Sequence, residues 1–488
     1  MTETETVRST NRWIALVVLC VGVLMIILDA TVVNVALPSI QSDLGFSQSN
    51  LAWVVNAYLI AFGGLLLLAG RLGDLVGRRR IFLIGLTIFT AASLLCGLAQ
   101  SQEVLIGARF VQGVGGAMTS AVILGVIVTM FPEPEEQARA IGIYSFVAAA
   151  GGSIGLLAGG VLTQAINWHW IFFVNLPIGV ATAVLAARLL ERDEGIGVGE
   201  GVDLPGAVLL TSSLMAGVYT IVGASDHGWG SGHTLGFGSA ALALLVAFVA
   251  REARTSNPLV PLRIFRSRVV AGANAVQALM VAGMFGMFFL GALYLQRVQG
   301  YDAVEVGLAF LPVAVLIGAL SLGVSARLIT RFGGRATLLP GLALIVAGLG
   351  LFASAPVDAS YPTDILPVML LLGSGAGLSF PALMTLAMSG ATPSDSGLAS
   401  GLVNTTQQVG GALGLAVLAT LSTTRTGDLR AAGDATASAL TGGYHLAFAI
   451  GAGLVAASVA LAVTLLRPQP GALFEEEPEL EPAYSEAA

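Results

Sequence analysis

The run WIALVVLCVGVLMIILDATVVNVALP, from Trp13 to Pro38, carries one charged side chain, Asp29, in 26 residues. A helix of about 20 residues, rising 1.5 Å each, crosses the roughly 30 Å hydrocarbon layer of a bilayer. The run is long enough for that, and too long for the apolar stretch of a cleavable signal. It lacks the strict alternation of a barrel strand, so a membrane-spanning helix is expected.

Comparable segments recur outward along the 488 residues. With the first at about 13–37, they fall at about 51–69, 81–100, 103–130, 138–164, 169–190, 204–224, 234–250, 269–296, 303–326, 336–354, 364–388, 397–421 and 443–466, making fourteen spans. The chain is 56% hydrophobic and 10% charged, whereas soluble proteins carry roughly 25% charged residues. That excludes a soluble enzyme and a disordered polymer. A formal charge of −7 and long uncharged stretches exclude a basic nucleic-acid binder. The fold class expected is all-α integral membrane. Cys20 and Cys96 lie in apolar runs and read as small buried hydrophobes.

All 22 basic residues are arginines. With fourteen spans and an inner N-terminus, eighteen fall on the cytoplasmic side. Arg297, Arg425 and Arg430 fall outside, and Arg109 lies within a span. This excess follows the positive-inside rule and puts both termini in the cytoplasm. The expected organisation is a six-span half over 1–190, two extra central spans with their loops over 191–268, and a second six-span half over 269–466. Residues 467–488, rich in Glu, form an acidic cytoplasmic tail expected to be disordered. A weak repeat supports the two halves: the glycine–arginine turn Gly70–Arg80 after the second span has a counterpart, Gly323–Arg335, after the tenth. Registered on Gly70 and Gly323, Arg327 stands where the first copy has Asp74. Repeated halves are what alternating-access transporters are built from.

Asp29 and Arg109 are the two charged residues deep within the expected spans. Embedding such a charge costs roughly 2.5–3.5 kcal/mol on the lenient insertion scale, which makes a functional role the default. Asp29 lies roughly 24 Å past the inner boundary and Arg109 roughly 9 Å from the outer one by helical rise, so they share a depth and can join one network. Asp29 is expected to load and release a proton as its surroundings change, with Arg109 assisting; the alternative is a static helix-to-helix pin. Gly70, Gly73, Asp74, Gly77 and Arg78 make a tight turn that can clamp two helix ends, an expected gate. In the fifth span Gly151, Gly155 and Gly159 recur every four residues with Gly160 beside them, a flat face for close packing. Gly151-Gly152-Ser153-Ile154-Gly155 matches a hydrolase pattern but lacks its strand–turn–helix context and its His and acid partners. With no Walker A loop, HExxH or Cys/His ligand spacing, no catalytic centre, cofactor or metal is expected.

At these residues the chain resembles the major facilitator superfamily, in particular its fourteen-spanning drug:proton antiporter branch (EmrB/QacA type). Leu28–Pro38 looks like that branch's first-span motif, whose Asp is implicated in proton coupling. Gly70–Arg80 resembles the superfamily's cytoplasmic gating signature, and Arg109–Gly113 its fourth-span motif. Trp168–Gly179, Asp203-Leu204-Pro205-Gly206 and Ala399–Gln408 are also similar to stretches of the branch, in the expected order. Two positions depart. Leu156 follows Gly155 where the antiporter motif usually has Pro, and His169 replaces an Arg between Trp168 and Trp170.

The resemblance implies a substrate cavity between the halves. Asn34, Asn56, Gln112, Asn274 and Gln277 would supply it with hydrogen bonds, and Met280, Met284 and Phe285 with adaptable apolar surface. One main embedded acid favours a neutral or monocationic amphiphile over a dication. The function expected is proton-driven antiport, exporting drugs, antibiotics or other toxic amphiphiles across a bacterial cytoplasmic membrane. The partners are then the small-molecule substrate, protons and the lipid bilayer, with no nucleic acid, and the protein is a monomer. Two other readings stand beside it: a proton symporter importing a small solute, and a non-transporting or lipid- or metabolite-handling relative.

Overall fold

In lipid no water is present to satisfy backbone N–H and C=O groups, so apolar runs of this length close their hydrogen bonds within helices. The computed structural model describes residues 3–191, 193, 195, 203–256, 258–389 and 396–466, and among these it contains helices and no strand. In order they are α1 (Glu3–Leu44), α2 (Trp53–Val76), α3 (Arg78–Gly97), α4 (Gln102–Met130), α5 (Pro134–Ala165), α6 (Trp170–Phe173), α7 (Asn175–Leu189), α8 (Leu204–His227) and α9 (Gly232–Glu252). There follow α10 (Arg268–Arg297), α11 (Ala303–Ala319), α12 (Ser325–Phe332), α13 (Gly334–Phe352), α14 (Leu366–Ser389), α15 (Ser396–Ala431) and α16 (Thr436–Leu465). A π-turn, Leu320–Val324, joins α11 to α12 in one rod.

Eleven helices among the described residues are long and apolar enough to cross a membrane. Three further positions where the sequence places spans hold α5, the α11–α12 rod and α15. The pentapeptide 151–155 lies wholly inside α5, so the strand-to-helix elbow of a hydrolase is not formed. The acidic stretch 467–488 lies outside the described residues.

Short polar signals set the helix ends. Asp203 accepts from the Gly206 N–H at 2.9 Å to start α8, and Ser231 from the Thr234 N–H at 3.1 Å to start α9. Asp302 and Glu305 exchange side-chain and backbone bonds in a capping box at α11. Between α2 and α3 the chain reverses at Gly77 (φ 108°), and between α12 and α13 at Gly333 (φ 86°). L side chains rarely adopt that region. These matching glycines fix the register of the repeat and correct the one taken from Gly70 and Gly323. Thr330 stands opposite Asp74, and Arg327 opposite Arg71.

Helices α1 to α7 pack among themselves, chiefly α3 on α4, α2 on α4 and α1 on α5. Helices α10 to α16 form a second group, with α13 on α14 and α10 on α15 and α16. The pair α8 and α9 leans on both groups through α8, against α2 and α15. The groups meet where α5 crosses α11 and α2 crosses α15. The α5 glycines make the first crossings close. Gly151 faces Leu24 and Ile27, Gly155 faces Leu28 and Thr31, and a Cβ added at Gly159 would stand 2.7 Å from the Val32 carbonyl oxygen. Gly160 turns the other way, to the Ala303 backbone of α11. The glycine stripe therefore grips the turn of α1 that carries Asp29.

A Cβ at Gly77 would meet the Asp193 carbonyl oxygen at 2.7 Å as well as the unfavourable φ. Gly77→Ala is expected to destabilise the protein by about 1–2 kcal/mol. Thermal unfolding in detergent measures this, and an unchanged midpoint contradicts it.

Candidate functional site

Four helices bring polar side chains to one buried point, and α2 adds a backbone carbonyl and an aromatic face. Asp29 on α1 and Arg109 on α4 are each 1% exposed and form an ion pair through Oδ2 and Nη1. Gln112, one turn after Arg109 and on the same helix face, donates from Nε2 to Asp29 Oδ1 at 2.7 Å. Asn175 on α7 donates to the same oxygen at 3.1 Å. All three groups that reach Asp29 are donors. Ser93 on α3 accepts from Gln112 at 2.6 Å and from Asn175 at 3.1 Å, which fixes both amides from behind.

The guanidinium is held just as fully. Arg109 donates from Nη1 to Gln112 Oε1 at 2.7 Å and from Nε to the Val54 carbonyl of α2 at 2.9 Å. Its Cζ stands 4.4 Å from the centroid of the Tyr58 ring, a cation–π contact. With its charge opposed and Nε and Nη1 hydrogen-bonded, a buried Arg is tolerated where an isolated one would not be.

A cavity of about 1080 Å³ opens beside this network. Arg109 and Tyr58 line it, whereas Asp29 lies behind them and is absent from its wall. Ile27, Ala30 and Asn34 of α1 form one side, and Phe285, Phe288 and Phe289 of α10 face them. The lining runs to Arg71, Asp74 and Arg78 at one end. At the opposite end the halves are pinned. Gln164 donates to Asp302 at 2.9 Å, Gln296 donates to the Val35 carbonyl at 2.9 Å, and Gly160 lies against Ala303.

At the cavity's lined end, Asp74 and Arg78 pair at 3.1 Å, and Arg78 Nη1 donates to the Gly125 carbonyl at the end of α4 at 2.9 Å. Gly73 lies against Val122, and Gly70 is a wall residue. Asp193 accepts from the backbone N–H groups of Arg78 and Arg79, capping α3 from the chain that follows α7. The turn is thus tied to α4 on one side and to the α7 exit on the other. At the other end, His169 stacks on Trp168 with centroids 3.8 Å apart, and Trp168 donates to Asp43 at 2.9 Å.

Of the polar and apolar residues expected at a cavity, Asn34 and Phe285 line it. Gln112 belongs to the Asp29 network instead. Asn274 bonds to Thr406 and the Val270 carbonyl, and Gln277 to Gln407, so both join helices. Met280 and Met284 are buried away from the cavity wall. Asn56 is fully buried with no hydrogen-bond partner among the described residues. The sequence does not mark Ser93, Tyr58 or Asp193, and it holds Asn175 only as one position of the stretch Trp168–Gly179. Asn175 carried the clearest signal, a lone amide within an apolar stretch; Asp193 carried none, because its partners lie more than a hundred positions away.

A family model, described as Major Facilitator Superfamily, matches residues 19–415. The chain belongs to the Major Facilitator Superfamily. It is 40% identical over 462 residues to the puromycin resistance protein pur8 of Streptomyces alboniger, covering 93% of this chain and 92% of that protein. It is 39% identical over 420 residues to the cephamycin export protein CmcT of Amycolatopsis lactamdurans, covering 86% of each. Among solved structures, a bacterial homolog of the human lysosomal transporter Spinster matches with a TM-score of 0.67 at 18% identity, over 94% of this chain and 99% of that one. That likeness confirms the fold, and the protein is a multi-pass membrane protein.

Removing one member of the pair strands the other. Arg109→Gln is expected to destabilise the protein by about 3–5 kcal/mol, and adding Asp29→Asn to return a large part of that loss. Denaturant unfolding of the two single variants and the double variant measures the coupling; strictly additive effects contradict it.

Proposed function

We propose that the protein is a fourteen-span, proton-driven antiporter that exports antibiotics or related amphiphilic molecules across the bacterial cytoplasmic membrane. The observation that carries this is the position of the Asp29–Arg109 pair. Arg109 faces the cavity and Asp29 stands directly behind it, so cargo and proton act on two sides of one ion pair. The names of the relatives, a puromycin resistance protein and a cephamycin export protein, support antibiotics as the cargo class.

The eleven apolar helices with α5, the α11–α12 rod and α15 make the fourteen spans of this reading, and arginine bias puts both termini in the cytoplasm. The halves are 1–190 and 269–466, with α8 and α9 inserted between them and an acidic tail after them. The lined end of the cavity, with Arg71, Asp74 and Arg78, is then the cytoplasmic end, and the pinned end faces outward. In this inward-open state Asp29 is ionised and paired, having delivered its proton inward, while cargo enters against Asn34, Tyr58 and Phe285.

Transition to the outward-open state pulls α5 from α11 and closes the turn Gly70–Arg78. Gly73 and Gly77 allow the close approach, and the Asp74–Arg78 pair meets the facing half. Separation of Asp29 from Arg109 leaves an uncompensated buried carboxylate, which takes a proton from outside as cargo leaves. Return of the proton-loaded form resets the cycle. Protons and cargo are the transported partners, the unit is a monomer, and no cofactor, metal or nucleic acid takes part. The glycine stripe Gly151, Gly155, Gly159 and Gly160 keeps α5 in tight register on α1 and on α11, sealing the outer end.

Labelled puromycin in everted membrane vesicles tests the coupling. Accumulation is expected when the lumen is acidic, and its loss when an exchange ionophore collapses the pH gradient. Accumulation indifferent to the gradient contradicts antiport, and uptake only into right-side-out vesicles with acid outside would support import instead.

A further inference from the structure

Asp203 and Glu252 are two carboxylates that the transport reading leaves unused. Asp203 caps the start of α8 and Glu252 closes α9, and they are 4% and 3% exposed. Each directs one oxygen at donors. Asp203 Oδ1 accepts from the Gly206 N–H at 2.9 Å and from Arg251 Nε at 2.5 Å, and Glu252 Oε2 accepts from the Val260 N–H at 2.8 Å.

The other two oxygens, Asp203 Oδ2 and Glu252 Oε1, are buried and reached by no donor among the described residues. They meet over Gly206, where an added Cβ would stand 2.8 Å from Glu252 Oε1 and closer still to Asp203 Oδ2. The two oxygens therefore crowd one small space above Gly206. Two acceptors placed together without a donor are reconciled by one hydrogen between them.

The surroundings agree. A small apolar core of Leu68, Ala207, Phe248, Val260 and Leu402 packs beside the pair. The charged groups around it are Arg251, bound to Asp203, and, along the cavity that Asp203 lines, Arg71, Asp74, Arg78 and Arg263. Arg251 opposes one negative charge at the pair, not two. Burial works to raise the Asp203 carboxyl, but Arg251 and the Gly206 N–H outweigh it and hold that group below the usual range, so Asp203 is the anionic member.

We propose that Asp203 and Glu252 bind one proton between them, forming a second proton-binding site at the junction of the two central helices, reached from the cavity through Asp203. The site is separate from Asp29 and stands whether or not Asp29 carries the transported proton.

Infrared spectroscopy of the full chain in lipid tests it through the carbonyl stretch of a protonated carboxyl. In Asp29→Asn protein, which removes the other embedded acid, a protonated-carboxyl band is expected near neutral pH and should fade as the pH is raised. Adding Glu252→Gln should abolish the band. The new amide can donate to Asp203 in place of the shared hydrogen, so folding is expected to survive. Absence of the band at neutral pH, in wild-type or Asp29→Asn protein, overturns the proposal without any further variant. Persistence of the band in Glu252→Gln protein overturns it as well.

Discussion

A carboxylate and a guanidinium buried together inside a lipid-embedded bundle are each costly alone, and the first half of this protein is arranged around that constraint. Asp29 receives donors from α4 and α7, Arg109 is tied to α2, and Ser93 on α3 steadies the amides between them. Five helices are thereby locked to one another by a single polar cluster. Glycine packing of α5 against the Asp29 turn supplies the remaining wall. Because the cavity touches Arg109 and not Asp29, whatever occupies the cavity acts on the pair from one side only.

The same constraint gives the two ends of the cavity different characters. At one end the halves are joined by side-chain hydrogen bonds, Gln164 to the Asp302 carboxylate and Gln296 to the Val35 carbonyl, with Gly160 against α11. At the other, the turn around Gly77 is held within its own half by Arg78 on Gly125 and by Asp193 on the start of α3. These contacts are local and polar, so they can be exchanged for others without unpacking an apolar core. The buried pair between the two ends is the element that a change at either end must strain or relieve.

Much of this was legible in the sequence because membrane insertion leaves little freedom. Long apolar runs must be helices, and a charge within one must find a partner, so the depths of Asp29 and Arg109 already implied a shared network. The glycines spaced by four in α5 announced a close crossing, although not that Gly160 would face α11. What the sequence did not yield was pairing across distance. Asp193 binds residues of a turn far upstream, and Ser93 looks like any small residue of a membrane helix until Gln112 and Asn175 converge on it. Polar residues also serve two purposes that composition cannot separate. Asn34 lines the cavity, whereas Asn274 and Gln277 join helices. Glycine content alone does not set the register of the repeat; the positive φ of Gly77 and Gly333 does, and it is not visible in the sequence.

The central claim is that Asp29 couples transport to protons and is not needed for cargo to pass. Proteoliposomes containing Asp29→Asn protein test it most directly, with labelled puromycin followed first down its own gradient and then under an imposed pH gradient. The account predicts that downhill equilibration continues while accumulation against the gradient disappears. Undiminished uphill accumulation by the Asn variant would contradict it.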